Sequence, residues 1–416
     1  MHLYDVPAVF ILTGLALYTI LGGADFGAGI WQLTTLLSAD RSAAGRARAG
    51  ELREHAHHAI GPVWEANHVW LIFVLTVTWT AYPSAFGAIA STLALPLLLA
   101  GVGIIFRGAA YALRSGTANR RELGLIDGLF SVASFLTPFA LGTMLGAIMS
   151  GRVPPGNAAG GLISSWLNPT SLLIGVLAVV LSAYMAAVYL GADAARHHEQ
   201  PLVEAFRRRA LLAGACAGAL ATVGLPILHA DAHRIFERLL TGPGLIGSVI
   251  SLLAGVATLS LVATRRFEWA RISAALAVAG LIIAWALAQA PTLLPGLSLG
   301  QAAASNTTII ALIVAIAMGV IVLFPALGLL FSLFLRGGFD AAATSAVDPF
   351  GPRRPGGSLS DGLSARLAIA GLLGGLGFLT GANPPWAHII GMACLVLCAG
   401  FTFCAISPGE LADSEL

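Results

Sequence analysis

The segment GPVWEANHVWLI, Gly61 to Ile72, brings a carboxylate, an amide and an imidazole (Glu65, Asn67 and His68) to the mouth of an apolar run. Asp25 stands in a comparable place one run earlier, within GGADFGAGIW. A charged side chain at the centre of a bilayer costs at least about 2.5–3.5 kcal/mol, so a chain that keeps one pairs it, hydrates it, neutralises it or uses it. Two chemistries suit this set. One is proton transfer through a carboxylate with water beside it; the other is ligation of a haem or metal through the imidazole. A lone intramembrane His is more often hydrogen-bonded to a neighbour than it is a ligand, so proton transfer is the expected chemistry.

On a helix, Glu65 and His68 are three residues apart and Trp64 and His68 four apart, so they share a face, with Asn67 beside Trp70 and Leu71. Arg107 closes the third apolar run, in GIIFRGAAYALR, and Asp127 opens the fourth. Asp25, Glu65, Arg107 and Asp127 therefore fall toward one end of four consecutive helices and are expected to meet in one pocket. There Arg107 would pair one carboxylate while another exchanges protons. For Arg107 and Asp127 a plainer role competes, in which they pair or snorkel at the membrane interface and fix helix ends.

The composition requires a membrane. Of 416 residues, 57% are hydrophobic and 10% charged, and the mean hydropathy is +0.86, outside the range of soluble domains. The formal net charge of +2 gives no reason to expect nucleic acid, and every one of the 22 basic residues is Arg. Spanning helices need about 20 apolar residues. Such runs fall near 7–30, 65–82, 84–108, 125–149, 167–192, 208–228, 244–264, 270–290 and 307–335, with two more near 366–382 and 387–406. The expected architecture is an all-α polytopic protein of about eleven helices. It divides into a membrane domain over 1–338, a linker over 339–365 rich in Gly, Pro, Ser and Asp, and a two-helix extension with an acidic tail over 366–416.

Arginine placement orients this plan, because cytoplasmic loops carry the basic residues. Arg41, Arg46, Arg48 and Arg53, then Arg114, Arg120 and Arg121, then Arg196 and Arg207 to Arg209, then Arg265, Arg266 and Arg271 all fall in alternate loops. The linker adds Arg336, Arg353, Arg354 and Arg366, whereas the opposite side has Arg152, Arg234 and Arg238. The N-terminus is expected outside and the tail GELADSEL inside. The first run reads as a spanning helix rather than a cleavable signal, since it lacks a basic leader and continues into Asp25.

Other polar residues offer less. Cys216, Cys394, Cys398 and Cys404 lie in apolar runs without CxxC spacing and read as small buried hydrophobes. His55, His57 and His58 sit in an Arg-rich loop and read as a solvated face; His229, Asp231 and His233 fall in an outer loop, and His388 stands alone. No Gly-rich phosphate loop follows a strand and no nucleophile sits beside a base, so catalysis of the soluble type has no support. The 49 glycines, many within the spans, suit close helix packing in lipid.

At GGADFGAGIWQL, GPVWEANHVWLI, AYPSAFG, GIIFRGAAYALR and LNPTSLLIGVL the chain resembles subunit II of the cytochrome bd-type quinol oxidases, cyanide-insensitive oxidases included, from about Leu3 to Leu335. The resemblance implies two four-helix bundles plus a ninth helix, packed as the pseudo-symmetric partner of a subunit I that carries haems b and d and the quinol-oxidising loop. It implies a complex of the prokaryotic plasma membrane that oxidises quinol and reduces oxygen to water in aerobic respiration. This chain would hold no cofactor or metal and no catalytic residue. Membrane lipid, quinone and small accessory subunits are its other candidate neighbours. The family's cytoplasmic proton route passes the acid of a Trp-acid pair, here Glu65 after Trp64, and Asp25 matches the helix-one aspartate. Two helices at the C-terminal end exceed the family pattern, and the first inner loop is long.

Two other functions fit the composition. A proton-coupled secondary transporter would show polar or broken segments near mid-span in both halves, whereas the second half here is nearly bare except for Asp193. A structural scaffold subunit would need none of the acids for turnover.

Overall fold

The first apolar run folds as one helix interrupted by a single wide turn. The computed structural model describes residues 2–36, 50, 64–114, 120–335, 366–367, 369–375, 377–378 and 384–406; at some helix ends, Trp64 and Glu65 included, it describes the backbone alone. Helix α1 covers Val6–Leu17, a π-helical turn covers Tyr18–Gly22, and α2 covers Gly23–Leu36. Pro7 falls in the first turn of α1, where its missing N–H costs nothing.

Helix α3 (Trp64–Ala81) ends because Pro83 disfavours helical geometry at Tyr82, which adopts φ −134° and ψ 61°. The third apolar run, expected as one helix, is two: α4 (Pro83–Thr92) and α5 (Ala94–Arg114). Pro96 has no N–H to offer Thr92, the residue four positions earlier, and the ladder breaks there. Helix α6 (Arg120–Met149) contains Pro138, and α7 (Pro169–Arg196) is capped by Asn168, whose side chain accepts from the Ser171 N–H at 3.0 Å. Helix α8 (Gln200–Asp231) begins about two turns before its apolar run, so Arg207 to Arg209 are helical.

The short amphipathic α9 (His233–Leu240) leads to α10 (Leu245–Ala263) and α11 (Phe267–Gln289). A small antiparallel hairpin follows, β1 (Thr292–Leu294) with β2 (Leu297–Ser298). Its turn is Pro295–Gly296, where Gly296 takes φ +74°. An all-α expectation missed it, because five strand residues leave no periodic pattern to read. A capping box between Ser298 and Gln301 starts α12 (Leu299–Ala302), and α13 (Asn306–Leu335) comes next. Helix α14 (Pro385–Ile406) is the last among the described residues.

The chain divides into two compact units, residues 1–323 and 324–416. In the first, α7 is the central helix. It packs on α2, α6, α8 and α11, and Met185 to Val188 are fully buried. Outward faces are apolar: Ile72 is 62% exposed and Ile105 68%. Helices apolar on both faces belong in lipid. Among the described residues, eight helical segments are long and apolar enough to cross a membrane, and Asn67–Ala81 and Ile389–Cys398 are shorter apolar helices. In the second unit, helical residues 369–375 lie close to α14, since a Cβ at Gly371 would fall 2.8 Å from the Cys394 carbonyl oxygen.

Cysteine burial departs from expectation. Cys216 is exposed on α8, while Cys394 and Cys398 are half-buried. A thiol is apolar enough to face lipid as Leu does, so an apolar run does not by itself imply burial. The side chains of Cys404 and His388, and the loop with His55, His57 and His58, lie outside the described residues.

Candidate functional site: a buried aspartate–arginine centre

Small residues bring α2 into contact with its neighbours. A Cβ at Gly27 would lie 1.9 Å from the Ser182 carbonyl oxygen on α7, and one at Gly29 would lie 2.2 Å from Ser134 Oγ on α6. On α5, a Cβ at Gly103 would meet Thr137 Oγ1 at 2.3 Å. The glycines of GGADFGAGIW thus let three helices approach closely enough for polar side chains to meet across them.

Arg107 is 1% exposed and sits at that junction. Its Nη2 donates to Asp25 Oδ1 and, at 2.9 Å, to the Asp25 carbonyl oxygen; its Nη1 donates to Ser134 Oγ at 2.6 Å. Ser134 Oγ in turn donates to the Phe130 carbonyl oxygen at 2.7 Å. The guanidinium lies over two aromatic faces, 4.4 Å from the Phe130 centroid and 4.8 Å from that of Phe26. Pairing and cation–π contact offset part of the desolvation that a buried charge incurs. Two polar atoms of the centre, Asp25 Oδ2 and Arg107 Nε, are buried with no hydrogen-bond partner among the described residues.

Asp127 is elsewhere. It pairs with Arg114, seven residues beyond Arg107 on α5, which at 1.5 Å per residue is roughly 10 Å along the helix. Of the four residues expected in a single pocket, Asp25, Glu65, Arg107 and Asp127, the three whose side chains are described therefore fall in two tiers. Arg107 does not snorkel; it closes the inner tier. Arg114 and Asp127 form the tier nearer the helix ends.

Helix α3 supplies the third side. Asn67 is fully buried and its Nδ2 donates to the Leu21 carbonyl oxygen of the π-helical turn at 3.2 Å. His68 stands edge-on to Tyr18 and Phe26, with ring centroids 6.4 and 6.2 Å away, and Tyr18 meets Phe26 at 6.3 Å. Phe26 thereby links the His68 group to Arg107. Trp70 packs edge-on against Phe73 at 6.2 Å. Glu65 lies on the first turn of α3, three residues before His68; its side chain and that of Trp64 are outside the described residues.

Sequence reasoning did not single out Ser134, Tyr18, Phe26 or Phe130. For Ser134 a signal existed: Asp127, Ser131 and Ser134 repeat at helical spacing in an otherwise apolar run.

At the opposite end of the bundle, Asp231 accepts from Thr170 Oγ1 at 2.7 Å and from the Thr170 N–H at 3.2 Å, and pairs with Arg152. It serves the start of α7, where a carboxylate complements the helix dipole. His229 and His233 meet with ring centroids 4.7 Å apart, and His233 Nε2 lies 3.2 Å from Glu237. Among the described residues no group of three or more His, Cys, Asp or Glu is placed to hold a metal ion.

Comparison with known proteins bears on the family and the fold. Residues 3–334 match the family model of cytochrome bd terminal oxidase subunit II. The chain is similar to the cytochrome bd-I ubiquinol oxidase subunit 2 of Escherichia coli K12, 27% identical over 190 residues, which are 44% of this chain and 47% of that protein. It is also similar to the cytochrome bd ubiquinol oxidase subunit 2 of Bacillus subtilis 168, 24% identical over 182 residues, 43% of this chain and 50% of the relative. These alignments span about half the length of either relative. Among solved structures, a bd oxidase chain from Geobacillus thermodenitrificans superposes with a TM-score of 0.62 at 26% identity, covering 80% of this chain and 99% of that one. With a family match running from Leu3 to the end of α13 and a bundle of the same fold, the chain belongs to the cytochrome bd terminal oxidase subunit II family.

Proposed function

We propose that this chain is the haem-free subunit of a cytochrome bd-type quinol:oxygen oxidoreductase in a prokaryotic plasma membrane, and that it carries protons from the cytoplasmic side toward the oxygen-reducing centre. The observation that supports this reading is the Asp25–Arg107 pair: a carboxylate 2% exposed, held by a guanidinium in an apolar bundle, with Oδ2 lacking a hydrogen-bond partner among the described residues. A carboxylate oxygen that is fixed in place and keeps a lone pair unused can take a proton from a water that reaches it and pass it on. Glu65, on the first turn of α3, would receive protons at the membrane surface; Asn67 and His68 line the way toward Tyr18 and Asp25.

In this reading haems b and d reside in a partner subunit I, where they would supply the oxygen and electron chemistry. The N-terminus faces outward, placing Arg114, Arg196, Arg207 to Arg209 and Arg265 on the cytoplasmic side. Lipid surrounds the apolar faces.

The test is purification of the tagged chain from its own membranes. A co-purifying haem-bearing partner with a reduced haem d absorption band is expected; a stable haem-free protein that transports a solute alone would refute the reading. Asp25→Asn and Glu65→Gln should slow quinol-driven oxygen consumption at unchanged haem content. Full turnover in both would mark the chain as a scaffold.

A further inference from the structure

Helix α6 has a polar face that the pairs described above leave partly unused. At about 100° per residue, Asp127, Ser131 and Ser134 fall within roughly 60° of arc and span about 10 Å of helix, from the Arg114 pair to the Arg107 centre. Ser131, between them, is fully buried, and its Oγ has no hydrogen-bond partner among the described residues. Nearby hydroxyls on α6 are satisfied by the helix itself: Ser134 donates to Phe130 and Thr137 to Ala133, each to the carbonyl four residues back. The Ser131 hydroxyl makes no such bond.

Two further features lie along the same face. Pro138, four residues after Ser134, has no N–H, so the Ser134 carbonyl lacks its usual intrahelical donor. At the other end, Gly124 precedes Ser131 by seven residues and so lies almost in line with it; a Cβ at Gly124 would meet nothing within 4 Å among the described residues. Among the described residues, the face therefore runs from a glycine with nothing packed on it, past a hydroxyl without a hydrogen-bond partner, to the carboxylate oxygen of Asp25 that also lacks one. Buried polar atoms in native proteins are satisfied by protein or by ordered water, because leaving them bare forfeits their hydration.

We propose that this face of α6 binds a file of ordered water molecules and forms a proton intake, running from the Arg114–Asp127 pair past Ser131 to Ser134 and Asp25. The proposal rests on the reading of Asp25 as a proton relay, and it supplies a route separate from Glu65, which arrives on α3. A proton joins the file at a water beside Asp127. The Ser131 hydroxyl accepts a hydrogen bond from one water as it donates to the next. A proton leaves the file at Asp25 Oδ2, so each transfer adds one proton at the outer end and delivers one at the inner end, with no other bond made or lost.

The experiment uses the intact oxidase complex containing this chain, in water and in D2O. It compares Ser131→Ala, Ser131→Thr, Asp127→Asn and Asp25→Asn by oxygen consumption, by proton uptake with a pH-sensitive dye, and by haem content. Ser131→Ala and Asp127→Asn are expected to slow proton uptake and turnover at least about fivefold, as loss of one hydrogen bond from a rate-limiting transfer would. The solvent isotope effect should rise, haem content should hold, and Ser131→Thr, which keeps the hydroxyl, should recover most of the rate. Wild-type rates in Ser131→Ala and Asp127→Asn beside a slow Asp25→Asn would overturn the α6 route and leave the relay at Asp25 standing. A wild-type rate in Asp25→Asn would overturn both. Haem loss in Ser131→Ala that Ser131→Thr does not reverse would make the hydroxyl a packing element and overturn the intake.

Discussion

Arg107 on α5 holds Asp25 on α2 twice, through the carboxylate and through the backbone carbonyl of the same residue, while its second amino group reaches Ser134 on α6. One guanidinium thus fixes the mutual position of three helices. The planar fork of Arg makes this possible, because its donors point in set directions that an ammonium cannot reproduce.

Removing that fork should be costly. Arg107→Ala leaves Asp25 buried and uncompensated, and a loss of about 3–5 kcal/mol is expected. Arg107→Lys should rescue little of it. The double variant Asp25→Leu, Arg107→Met, which removes both charges, should recover most of the thermal stability of the detergent-solubilised complex while staying slow in oxygen consumption. Failure of the double variant to regain stability would show that the centre is held by shape rather than by charge.

Gly27 is expected to tolerate no side chain. A Cβ there falls 1.9 Å from a backbone oxygen on the most buried helix, so the neighbour cannot rotate away. Gly27→Ala should destabilise by roughly 1–3 kcal/mol, the range for overpacked cores, and lower the yield of assembled protein. By contrast Gly101, where a Cβ meets nothing within 4 Å, should accept Ala freely. Equal unfolding temperatures for the two variants would count against the close α2–α7 approach.

Asn67→Ala removes the side chain that satisfies the Leu21 carbonyl in the π-helical turn. The expected loss is about 1 kcal/mol, the net worth of one hydrogen bond. Backbone amide exchange across 18–22 should accelerate in this variant. Unchanged exchange would mean that the turn is held by the packing of Tyr18 and Phe26 alone.

Cys216 provides a check on how the helices face the membrane. It is exposed on the apolar surface of α8. In membranes it should react with a lipophilic maleimide and resist a charged one of similar size, and mass spectrometry of the labelled chain reads the outcome. Rapid labelling by the charged reagent would place this face of α8 in water.

The membrane class, the apolar runs and the family were legible in the sequence because each rests on local information. Hydropathy over about 20 residues defines a span, and GGADFGAGIW and GPVWEANHVWLI carry the resemblance in short contiguous motifs. Break points were partly legible too. Pro83 stops α3, whereas the division between α4 and α5 needed the i−4 partner of Pro96 to be counted. The depth of each acid was not legible, because a helix index gives position along one helix and says nothing of which neighbour lies beside it. Only tertiary packing decided that Arg107 meets Asp25 rather than Asp127, that Asp127 answers to Arg114, and that Ser134 completes the centre. The physical reason is that glycines 27, 29 and 103 set how closely the helices pass, and a buried charge takes whichever partner that spacing brings within hydrogen-bonding reach.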